Sequence, residues 1–151
     1  MQYTAEEILE YIQLSREQGK TPDLSRQDLT GVSLYEVDLS GVDFSGADLS
    51  STSLGKANLS RATLVKARMS QVDLSGANLS DANLTQANLF QATLTGTNLQ
   101  GANLHGAALL GANLRQADNL AGANLQGARC DSYTRWPLNF DPKAAGVRNV
   151  V

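Results

Sequence analysis

Residues 77–91 read Ala77-Asn78-Leu79-Ser80-Asp81, Ala82-Asn83-Leu84-Thr85-Gln86, Ala87-Asn88-Leu89-Phe90-Gln91. The three blocks repeat one formula: a small residue, an asparagine, a leucine, then two further positions. Outward from this stretch, a large apolar residue stands at every fifth position from Leu24 to Leu114. These are 19 in succession, all leucine except Phe44 and Met69. After a one-residue slip at Asp118-Asn119 the series resumes at Leu120, Leu125 and Cys130. Two places before each stands a small residue, most often alanine, as at Ala47, Ala57 and Ala62. The place between is mostly Asp, Asn, Ser or Thr, and the last two places are polar or glycine.

A period of five fits neither regular element. On an α-helix five residues advance by about 140°, which smears the leucines over every face. On an extended strand successive leucines alternate between the two faces. Each unit must therefore send one large and one small side chain inward and then turn. Gly, Asn, Asp and Ser are the residues that tolerate turning. A backbone that turns in every unit becomes a coil, and stacked coils make a solenoid.

The tandem A-(D/N)-L-x-x from Pro22 to about Cys130 resembles the pentapeptide-repeat proteins. That resemblance implies an all-β fold, a right-handed quadrilateral β-helix with four units per coil. Residues 20 apart would then stack, and the 22 units counted to Cys130 give about 5.5 coils. The organisation expected is one domain: a capping α-helix in residues 1–20, the repeat in 21–131, and an irregular cap in 132–151.

Both covers are legible, and a stack needs them because its ends expose core and unpaired edges. Thr4 with Glu7 forms a candidate capping box, Ile8, Leu9, Tyr11 and Ile12 supply an apolar face, and Gly19 stands where a helix would stop. The tail from Tyr133 to Pro142 holds Trp136, the one tryptophan, and Phe140. It resembles the tail of many cyanobacterial members, and its aromatics are expected to lie over the last coil.

Composition excludes several functions. Hydrophobic residues are 42% of the chain but aromatics only 5%, so the core must be built from small and medium aliphatics. The net charge is −3, without the basic stripe that nucleic acid or an anionic membrane surface selects. A single cysteine, Cys130, rules out an internal disulfide and a multi-cysteine metal site. No apolar run approaches the ~18 residues of a membrane span. Glu6, Glu7 and Glu10 lie where a signal peptide would be basic and then apolar. The location expected is cytoplasmic.

Chemistry is scarce. The single histidine, His105, directly follows a core leucine and should point outward. No nucleophile is paired with it in sequence, and no phosphate-cradling loop or metal-ligand spacing is present. No enzyme activity, cofactor or metal is expected. The function expected is a non-enzymatic protein-interaction module presenting flat β faces to an unknown protein partner. Direct contact with nucleic acid or membrane is not expected, and the chain itself should be a monomer or a weak homodimer.

Two features depart from the repeat. Phe90 and Leu110 each follow a core leucine and are 20 apart, with Ala108 beside Leu110 where most coils place a polar residue. Thr30, Ser50 and Ser70 hold the same place earlier, so the row turns apolar and becomes a candidate partner-binding patch. The slip at Asp118 and Asn119 should bulge from the last full coil and is a second candidate. Charge is polarised as well: residues 21–60 carry a net −4 and residues 61–130 a net +2. The resemblance implies an alternative here, since some members are thought to imitate DNA and so modulate type II topoisomerases such as gyrase.

Overall fold

The computed structural model describes residues 2–150; Met1 and Val151, the outer ends of the two expected caps, lie outside them. From Asp23 to Asp118 the chain climbs as a solenoid whose bridges join residues 20 apart in parallel, so four units make one turn. Four sides result. The first carries Asp23, Asp43, Thr63, Asn83, Asn103 and Asn124, and the second Asp28, Asp48, Arg68, Asn88, Ala108, Arg129 and Arg148. The third carries Ser33, Ser53, Asp73, Thr93, Asn113 and Arg135, and the fourth Asp38, Asn58, Asn78, Asn98 and Asp118.

Each rung is one residue wide for a physical reason. Around Asn78, the Asn78 amide donates to the Ala57 carbonyl (2.9 Å), and the Leu59 amide donates to the Asn78 carbonyl (2.7 Å). The chain then turns: the Ala82 amide donates to the Leu79 carbonyl at 3.0 Å, closing a four-residue turn. Its third residue, Asp81, lies at φ +57°, the left-handed value that marks a type II turn. Similar corners recur up the coil, filled by Gly31, Gly41 and Gly96 but equally by Arg61, Lys66, Gln86 and Gln91. The extended run between corners is so short that among the described residues only two strands reach two residues, β1 (Arg129–Cys130) and β2 (Arg148–Asn149), paired in parallel.

The core is the leucine column. The large residues from Leu29 to Leu114 are fully buried, and Ala47, Ala57, Ala67 and Ala87 fill the corners beside them. Thr52 and Thr97 replace alanine without cost in unmet polarity, because their hydroxyls donate to the carbonyls of Leu49 (2.6 Å) and Leu74 (2.7 Å). Among the described residues no buried side-chain nitrogen or oxygen lacks a partner.

The bottom is covered by α1 (Ala5–Glu17). Thr4 and Glu7 make the reciprocal capping box, with the Thr4 amide donating to Glu7 Oε2 at 2.8 Å and the Glu7 amide to Thr4 Oγ1 at 3.2 Å. Gly19, at φ +67°, ends the helix, and Lys20 donates back to the Ser15 carbonyl at 2.9 Å. Only Ile8 and Ile12 enter the core; Leu9 and Tyr11, read from the sequence as part of the apolar face, stay well exposed. A 13-residue helix laid across the narrow end of a coil can bury one narrow line of side chains, here Ile8, Ile12 and Ser15.

At the top the expected boundary at 131/132 is not a break in the ladders. Arg135 pairs with Asn113, and Arg148 with Arg129, so the coil continues into the tail. Thr134 and Val147 are buried where alanines stood below. Trp136 and Phe140 pack on the core and stack on one another, ring centroids 5.3 Å apart at 26°. Tyr133 does not follow them: it is 76% exposed, because Asn113 pairs 22 residues ahead rather than 20 and the added residues loop outward.

Candidate functional site

The second side carries the candidate patch. Phe90 is 42% exposed and Leu110 half-buried, one rung apart in the row that follows the leucines. Phe90 is set by its neighbour: Asn88 Oδ1 accepts the Phe90 amide at 3.1 Å, fixing the turn from which the ring projects. Gln71 Nε2 donates to Gln91 Oε1 at 3.0 Å along the adjoining corner. Above, Asp131 Oδ1 accepts the Gly111 amide at 3.0 Å. Ala108 does not project: it is only 9% exposed, because a methyl is too short to clear the rungs around it. Its part in the patch is to leave a flat floor where Asn88 and Arg68 stand on the rungs below.

The second candidate splits in two. Asp118 keeps its ladder place opposite Asn98, and its amide still donates to the Thr97 carbonyl at 2.8 Å. The added residue is Asn119, at φ +60°, followed by a 3-10 turn over Leu120–Gly122. Leu120 returns to the core and register is regained at Asn124. The bulge is therefore small and tied down. Asn119 Nδ2 donates to Asn98 Oδ1 at 3.0 Å, continuing the amide ladder that Asn98 makes with Asn78 at 3.3 Å.

Acidic residues dominate the bottom coils. The carboxyls of Asp23, Asp28 and Asp38 are held below the ordinary carboxylate range, chiefly by the hydroxyls of Ser25, Thr30 and Ser40. At Asp48 burial pushes upward, yet hydrogen bonds from Ser50 and Arg68 outweigh it. Asp48 Oδ2 lies 2.6 Å from Arg68 Nη2. Exposed arginines replace these carboxylates at the top, Arg129 and Arg148 on the second side.

A family model of pentapeptide repeats matches residues 23–46, 43–81 and 82–118 in eight copies, which is most of the chain. The chain belongs to the pentapeptide repeat family. Among solved structures it is similar to Rfr23, a pentapeptide repeat protein of the cyanobacterium Cyanothece 51142. The identity is 30% over 87% of this chain and 98% of that one, with a TM-score of 0.78. It is also similar to alr5209 of Nostoc PCC 7120, at 35% identity over 99% and 98% of the two chains with a TM-score of 0.34. HetL, of Nostoc sp. strain PCC 7120 and involved in heterocyst differentiation regulation, matches at 27% over 83% and 71%, TM-score 0.49. No curated protein matches.

His105 is exposed on the outer wall beside a corner. Cys130 fills a core place, where burial and then the nearby Asp131 carboxylate push its thiol up, away from the reactive thiolate. Among the described residues no group of His, Cys, Asp and Glu could hold a metal ion, and no helix is long and apolar enough to cross a membrane. A hollow between α1 and the first coil is lined by Tyr3, Glu7, Ile8, Tyr11, Asp23 and Leu24. The most exposed apolar side chains were missed by the periodicity, since Leu138 (92% exposed) and Tyr133 both lie outside it. No spacing rule marks them; being large and apolar in a segment without a column to join was the one available signal.

Proposed function

We propose that this protein is a non-enzymatic, cytoplasmic interaction module, a right-handed four-sided rod that engages a protein partner through its second side. The observation that carries this reading is the Phe90–Leu110 row: two apolar side chains, one rung apart, on a wall whose lower rungs carry Thr30, Ser50 and Ser70. A flat wall with fixed side-chain spacing loses little conformational freedom on binding, which favours recognition by surface matching. The alternative, imitation of DNA, finds less support. Its negative potential would have to run the length of the rod, whereas Arg129 and Arg148 top the second ladder and Arg135 the third, above the acidic coils.

The test is comparative affinity capture from the parent organism, wild type against Phe90→Ser/Leu110→Ser. Proteins retained by the first and lost by the second, with unchanged thermal unfolding of the bait, are the expected result. An identical set on both baits removes the second side from the function.

A further inference from the structure

The order of charges up the second side has a symmetry of its own. Its seven rungs run from Asp28 and Asp48 at the bottom to Arg129 and Arg148 at the top, and the fourth rung, the midpoint, is Asn88 with Phe90 after it. We propose that a second copy of this chain docks antiparallel on this side, about a two-fold axis that crosses the Phe90 rung. The inference rests on the same wall as the proposed interaction surface and names its occupant.

The pairing follows from register alone. With the axis in the plane of contact and across the rod, the first rung meets the seventh and the second meets the sixth. Asp28 then faces Arg148 and Asp48 faces Arg129, each contact occurring twice in an isologous dimer. Phe90 faces its own copy on the axis, where an aromatic pair adds to apolar burial. The remaining charges on this wall meet no like partner: Arg68 falls opposite Ala108, and Asp131 opposite Ser50. The parallel arrangement would set Asp28 against Asp28 and Arg148 against Arg148, so charge selects the antiparallel one. All of Asp28, Arg129 and Arg148 are exposed in the single chain.

Size sets the strength. Seven rungs at ~4.8 Å make a wall roughly 29 Å tall, and three extended residues plus corners make it about 15 Å wide. That is on the order of 400 Å² per copy, half the ~800 Å² of a standard interface. Association in the range of tens to hundreds of micromolar is expected, tighter at low salt.

Sedimentation equilibrium of the full chain, from roughly 10 to 500 μM at low and high salt, reads this directly. Phe90→Ser should remove the dimer. Asp28→Lys and Arg148→Glu should each weaken association about tenfold, since each turns two attractive contacts repulsive. An equimolar mixture of the two variants should associate like wild type, because each altered residue then meets a complementary one. Asp28→Asn, which keeps the acceptor for the Thr30 amide, should weaken association in the same direction and serves if the lysine variant unfolds. A chain that stays monomeric throughout, reversals that leave the dimer intact, or a mixture that fails to recover it overturns the antiparallel contact. A monomer that still loses captured proteins on Phe90→Ser/Leu110→Ser would sink this inference and leave the proposed function standing. A dimer whose serine variant captures an unchanged set would do the reverse.

Discussion

Replacing Leu79 by alanine probes whether the coil is a rigid frame. Leu79 is fully buried in mid-rod, one coil from Leu59 below and Leu99 above. Removing three buried carbons costs about 2.4 kcal/mol of transfer free energy at ~0.8 each. A cavity term adds to this wherever the surroundings cannot collapse. Here they are held: the Asn78 amide is tied to the coil below, the Leu79 amide donates to the Asn98 carbonyl above (2.8 Å), and the Leu79 carbonyl closes the turn. The total expected is about 4 kcal/mol, in the upper part of the range for buried leucines. Leu24→Ala is the control, since Leu24 is 5% exposed and packs in the end coil over a single helix that can settle; about 2 kcal/mol is expected there. Urea unfolding followed by circular dichroism and by Trp136 fluorescence measures both. Because neighbouring coils stabilise one another, the two probes should stay coincident with an unchanged m-value. A Leu79→Ala cost below about 1.5 kcal/mol, or no greater than that of Leu24→Ala, would refute the frame.

The corners and the acidic coils make further predictions. Gly41 lies at φ +69° with open space where a Cβ would go, so Gly41→Ala should lose about 1 kcal/mol by backbone conformation alone. Gln86→Gly at φ +58° should give up to about 1 kcal/mol back; the same urea titration decides, and equal effects of both changes would contradict left-handed corners. The carboxyls of Asp23, Asp28, Asp38 and Asp48 are lowered in the folded chain, so the unfolded chain binds more protons in acid. Their contribution is present above the unfolded Asp value of about 3.9 and disappears as pH falls through the lower folded values. Unfolding temperature should therefore drop below about pH 4, less steeply once these four are asparagine; identical profiles would count against the hydrogen-bonded carboxylates.

The repeat was legible because its signal is redundant: with a leucine at each fifth place, no single substitution obscures the column. Asp and Asn before the leucine were legible as turn formers, and the structure gives the mechanism. The side-chain oxygen accepts the amide two residues on, as Asn78 does from Ser80 at 3.0 Å. The left-handed corners at Lys66 or Gln91 were not legible, since nothing local favours those residues there. The bonds of each corner to the coils above and below impose the conformation. The candidate patch was half legible. The sequence placed Phe90 and Leu110 on one row, but whether Ala108 would project depended on the height of neighbouring rungs.

From the order of residues alone came the five-residue period, the inward leucine column, the capping box of α1 and the charge gradient, all being local or strictly periodic properties. Tertiary structure decided the rest: that Asp118 stays in register while Asn119 leaves it, that the coil runs on through Arg135 and Arg148, and that Tyr133 faces solvent while Trp136 does not. These depend on where a turn of the coil closes. Closure is fixed by ladder pairing between residues 19 to 22 places apart, and a sequence read along its length does not record which of those spacings a given coil adopts.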